Sequence, residues 1–202
     1  MERGPCSLLD NAISDLGNTA CGQWPPPGFG SQLAQKLGVG GTYVCSPLHN
    51  LMNASFVVVG VLLLVGLYLT RKAWPRRRLT SWSFVVLGLA GVGKIVVGLA
   101  PENTRLLIHS LGALGIPCAS IGILLLGVAL WQTHRRTAIL SIALGAIGLL
   151  GLLGGVAFTG LGHGHGAGER IAEYPAIVWM VVLGVSLSGP DHQRPHPPSL
   201  RH

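Results

Sequence analysis

With 202 residues, 49% of them hydrophobic and only 10% charged, and a mean hydropathy of +0.54, the chain lacks the polar residues with which a soluble domain of this size covers itself. Its formal charge of +7 does not point to nucleic acid. Five of the 14 Lys and Arg residues (Arg71, Lys72, Arg76, Arg77 and Arg78) sit in one short stretch directly after an apolar run, the placement of a membrane-protein loop.

No basic start followed by an apolar core marks a signal peptide in the first ten residues. Residues 1–50 are the least membrane-like part of the chain and form an N-terminal segment. Within it, NAISDLGNTAC (11–21) holds Asp15 between apolar neighbours. Residues 22–41 are rich in Gly, Pro and Gln, with Pro25, Pro26 and Pro27 in a row, and read as an irregular loop. Cys21 and Cys45 bracket this loop and are partners for a disulfide if it lies outside the cell. Cys6 competes for either, and three free thiols is the alternative.

Residues 51–70 carry no charge over about the length that crosses a bilayer core, and form the first span. The second, 80–100, is interrupted only by Lys94. The third, 106–131, contains Pro117 at a position that predicts a kink. The fourth is 137–160. Residues 161–173 read as a polar loop carrying His163, His165, Glu169, Arg170 and Glu173, and 174–188 as a short fifth span. Residues 189–202, Pro- and His-rich, form a disordered tail. The fold class is therefore all-α, a polytopic transmembrane helical bundle of five evident spans embedded in a lipid bilayer.

The basic connections 71–79 and 132–136 belong in the cytoplasm together with the tail. That puts the N-terminal segment, the corner at 101–105 and the 161–173 loop on the other face of the plasma membrane. Nothing upstream would translocate residues 1–50, so a helix before Met1 is expected. In the fourth span Gly145, Gly148, Gly151 and Gly154 recur every three residues, and Gly151 with Gly155 makes a small-xxx-small step. These predict close helix packing within the monomer, with a homodimer seam as the alternative.

GLAGVGKI (88–95) nearly spells a phosphate-binding loop, but Ile95 stands where a Ser or Thr would hold magnesium, and the stretch lies inside an apolar span. Lys94 falls about six residues, roughly 9 Å of helix, from the outer end of its span. It either snorkels to the interface or pairs with Asp15 or Glu102. In GLAPENTRLLIHSLGA (98–113), Glu102 and His109 are seven residues apart, two helical turns. Pro101 suits a first turn, so Glu102 and Asn103 are helix-capping residues or part of a site. His49, His109, His163 and His165 share the outer face with Asp15, Glu102, Glu169 and Glu173. Such a set suits zinc and a hydrolytic water, with His49 and His109 the weak metal candidates, although no HExxH-type pair is present. Arg170 is expected to pair with Glu169 or Glu173 rather than with a lipid phosphate.

Four segments together, NAISDLGNTACG (11–22), VCSPLHNLMNASFVVVG (44–60), GLAPENTRLLIHSLGA and GERIAEYPAIVW (168–179), resemble the bacterial membrane proteins of the domain of unknown function 998 family, of the actinobacterial kind. The resemblance runs from about residue 11 to 188. It implies a compact helical membrane domain, commonly of six or more spans, with a first helix before the ISDLG segment and no established activity. By resemblance its motif positions are Asp15, His49, Asn53, Glu102, Asn103, His109 and Arg170. The reading at this point is a non-enzymatic membrane protein that transports or binds a lipid or small molecule in an outward polar pocket formed by these residues and Lys94. A metal- or His/Asp-dependent lipid hydrolase and a structural subunit are the alternatives.

Overall fold

Apolar runs long enough to cross a bilayer leave the backbone no hydrogen-bonding partner but itself, and every such run here is helical. The computed structural model describes residues 7–24, 42–160 and 166–188. Its helices are α1 (His49–Thr70), α2 (Arg78–Leu99), α3 (Glu102–Ala113), α4 (Gly115–Leu130), α5 (Arg135–Gly160) and α6 (Gly166–Ser188). Because α3 runs directly into α4, the described residues contain five segments long and apolar enough to cross a membrane, and the chain is a multi-pass helical membrane protein. Cys6, the proline run at 25–27, His163, His165 and the C-terminal tail lie outside the described residues.

Each spanning segment packs on the next: α1 on α2, α2 on α4, α4 on α5 and α5 on α6, while α3 lies along α2. Leu87, Ile123, Leu126 and Leu130 are enclosed at the centre, with Trp74 and Trp179 in the same cluster. Two of the buried polar side chains in this core are paired across helices, as burial favours. The Ser83 hydroxyl donates to the Gly122 carbonyl at 2.7 Å, and the Trp179 indole N–H donates to Ser141 Oγ at 2.9 Å.

Small residues set how closely the helices approach. A Cβ on Gly93 would stand 2.5 Å from the Gly112 carbonyl oxygen, so α2 and α3 meet backbone to backbone. Gly91 and Gly93 of GLAGVGKI thus serve helix contact inside a continuous helix, a setting that cannot cradle a phosphate. Gly145, Gly148 and Gly151 are likewise used within the monomer, against Ser120 and Leu124 of α4 and Ile171 and Ala172 of α6.

Three expectations are corrected. The third span breaks at Leu114, between α3 and α4, and not at Pro117. Pro117 stands in the first turn of α4, where its missing N–H would have no helical partner anyway. The fifth span begins at Gly166, so Glu169, Arg170 and Glu173 ride on a helix instead of a loop. Their charges find partners on other elements, and those partners are invisible to a hydropathy average. The 22–41 loop is not wholly irregular: β1 (Gly22–Trp24) pairs antiparallel with β2 (Thr42–Val44), Gln23 opposite Tyr43. Just beyond the ribbon, Cys21 and Cys45 are bonded to each other.

Candidate functional site

The N-terminal segment closes one end of the bundle. Asp15 organises it by accepting the Ala12 backbone N–H at 2.9 Å and the Asn11 amide at 3.3 Å, which tightens residues Ser14–Gly17 into a 3-10 turn. The turn sets Ile13 against Phe56 and Val97 as a small apolar plug. Where the turn crosses α1, a Cβ on Gly17 would run into Asn53 Oδ1, so any larger residue there would have to displace the Asn53 side chain.

Everything else that docks the segment is polar. Asn53 donates to the Gly17 carbonyl at 2.9 Å, and the Ile13 backbone N–H donates to Glu169 at 2.7 Å. The Asn18 amide donates to Glu102 at 3.0 Å. Asn103 exchanges two hydrogen bonds with Thr19, and the Ala167 N–H donates to the Leu9 carbonyl. One Arg170 terminal nitrogen donates to the carbonyls of Leu8, Asn11 and Gly166 at 2.7–2.9 Å. Arg170 therefore pairs with neither Glu169 nor Glu173: three converging carbonyls at the start of α6 take its charge instead.

Beneath the plug lies a cluster of ionisable side chains. Lys94 of α2 makes an ion pair with Glu173 of α6, and its ammonium also lies 5.3 Å from the centre of the Phe56 ring. The partner is neither Asp15 nor Glu102, because the polar start of α6 brings Glu173 to the same depth. His109 Nδ1 is 2.9 Å from the Ala100 carbonyl, which assigns the proton to Nδ1 and turns Nε2 toward Glu102, 4.0 Å away. The buried Glu102 and Asp15 carboxyls are close enough to interact. Glu102, Asp15, His109 and Glu173 are all buried. A cavity with room for about one water molecule is walled by Ser14, Lys94, His109, Glu169 and Glu173. Two buried polar atoms here lack partners, Asn18 Oδ1 and Arg170 Nε.

The structure thus brings Asp15, Lys94, Glu102 and His109 together, and gives Asn53, Asn103 and Arg170 to docking of the segment. His49 stands apart at the start of α1, its Nδ1 3.0 Å from the Ser46 carbonyl. Among the described residues no group of three or more His, Cys, Asp or Glu side chains is arranged to hold a metal ion. Sequence reasoning passed over Asn11, Ser14 and Asn18. Their signal was the run of short polar residues in NAISDLGNT, where only the acid drew attention.

The chain matches over residues 1–186 the family described as "Protein of unknown function (DUF998)", and it belongs to that family. No curated protein and no solved structure matches it.

Proposed function

We propose that this member of the DUF998 family is a small, non-enzymatic membrane protein of the transport type. In this reading the ligand is a proton or a compact ammonium-type cation, and the site is the ionisable cluster beneath the N-terminal segment. The support for the reading is the buried pair of interacting Asp15 and Glu102 carboxyls, which neither Lys94 nor Arg170 neutralises. Lys94 is taken by Glu173, and Arg170 by backbone carbonyls. Two buried, interacting carboxyls call for a shared positive charge, and the orphan acceptor Asn18 Oδ1 beside them calls for a donor. A ligand larger than water enters only if the segment lifts.

The site end is proposed to face outward from a bacterial plasma membrane, with the basic connection 71–77 in the cytoplasm. The charge bias of that connection and the disulfide at the other end support this orientation. The test is the thermal midpoint of detergent-purified protein in ammonium, methylammonium or choline chloride, against sodium chloride at equal ionic strength. At least one of these three cations is expected to raise the midpoint of the wild type and to leave Glu102→Gln unmoved. No response to any of them would sink cation binding.

A lipid hydrolase remains the second reading, because Ser14 and His109 share the cavity wall. It predicts turnover of a lipid ester that His109→Ala abolishes in a protein that still folds. A structural subunit would respond to neither experiment.

A further inference from the structure

At the end of the bundle away from the N-terminal segment, the connection 71–77 leads into Arg78, the first residue of α2. Together they shape a pocket of about 570 Å³, walled by Trp74, Arg76, Arg77, Arg78, Thr80 and Ser81. The start of α2 is electrostatically inverted. A helix N-terminus is the positive end of its dipole and normally carries an acidic or hydroxyl cap. Here the cap position is Arg77, no side chain caps the helix, and the first turn contains no acid. The first helical bond is donated by Ser81, so the amides of Arg78, Leu79 and Thr80 precede the helix's own ladder.

A second, independent observation points the same way. Thr80 lines this pocket at 7% exposure, and its hydroxyl has no hydrogen-bond partner. The arginines divide in use. Arg71 is spent on the Tyr68 ring and carbonyl, and Arg77 reaches the Ala129 carbonyl at 3.4 Å. Arg76 and Arg78 are exposed and, among the described residues, form no hydrogen bond or ion pair. Free amides, a buried unpaired hydroxyl and two uncommitted guanidinium groups make the donor set of a phosphate site. Beside it, α1 and α6 leave an apolar groove of about 330 Å³ lined by Leu63, Leu67, Trp179, Leu183 and Leu187, which ends at Thr70, one residue before Arg71.

We propose that this pocket binds the phosphate of an anionic phospholipid whose acyl chain lies in the α1–α6 groove. The site is independent of the cluster at the other end of the bundle. A merely basic loop would attract any anionic surface in proportion to its charge. A built site depends on which arginines are present and on Thr80.

The experiment is native mass spectrometry of the detergent-purified chain titrated with dioctanoyl phosphatidylglycerol, dioctanoyl phosphatidylcholine or glycerol phosphate. Phosphatidylglycerol is expected to bind roughly tenfold better than phosphatidylcholine, and Arg76→Gln/Arg78→Gln to lose roughly tenfold or more. Thr80→Val should weaken binding with no change in total charge. The charge-matched Lys72→Gln/Arg136→Gln, outside the pocket at the same end, should bind as the wild type does. Thermal midpoints of the variants verify folding. Equal losses in the two double variants, wild-type affinity in Thr80→Val, or equal binding of phosphatidylcholine would overturn the site. Glycerol phosphate binding as tightly as the lipid would overturn the lipid occupant.

Discussion

Lys94 shows how much of the site depends on pairing. Its head group lies below the end of α2, where an isolated charge is expensive, and its salt bridge to Glu173 makes the position tenable. Lys94→Met leaves the Glu173 carboxylate buried without a counter-charge, and a loss of about 3–5 kcal/mol is expected from breaking one side of such a pair. Lys94→Met/Glu173→Leu removes both charges and should recover most of that loss, because an apolar pair of similar volume has no ion to solvate. Denaturation midpoints of the three proteins in one detergent measure this. A double variant as unstable as the single one would mean that Lys94 acts through something other than the pair. Nothing local in the sequence identified Glu173 as the partner: it lies on another helix, in a stretch whose polarity reads as a loop.

Among the elements, the helices with unbroken apolar runs were legible because bilayer length and composition suffice to define them. The first turns of α6 were not, since Glu169, Arg170 and Glu173 lower the hydropathy and are compensated only by the N-terminal segment, Lys94 and backbone carbonyls. The segment itself was legible as polar and non-spanning. Its role as a plug was not, because that rests on long-range bonds such as Asn18 to Glu102. This element is held by those polar bonds, by Ile13 and by the Cys21–Cys45 link, which closes a separation of 24 residues. Such a loop closure contributes about 3 kcal/mol in the chain-entropy picture. Cys21→Ser/Cys45→Ser is therefore expected to expose residues 7–24 to protease faster than in the wild type, while α1 to α6 stay protected. Unchanged cleavage in that segment would show that the hydrogen bonds and the apolar contact hold it without the disulfide.

At the scale of the whole molecule, if each of the five segments long and apolar enough to cross a membrane does so once, the N-terminal segment and the end of α6 lie on opposite sides. In the proposed orientation, the charge bias puts the basic connection in the cytoplasm. In a Cys6→Ser/Cys118→Ser background, Tyr43→Cys should react in intact cells with a maleimide that cannot cross the membrane, and Arg76→Cys only after permeabilisation. The reverse pattern would invert the proposed orientation. The same architecture puts an acid-rich closed cluster at one end and an arginine pocket at the other, and in the proposed function the first of these is a passage for positive charge. The direct measurement is voltage-driven entry into proteoliposomes, with protons followed by entrapped pyranine and methylammonium by isotope, for the wild type beside Glu102→Gln. Entry of one of the two above protein-free vesicles, abolished in Glu102→Gln, is the predicted result. Wild-type vesicles no more permeable to either than protein-free ones would contradict it.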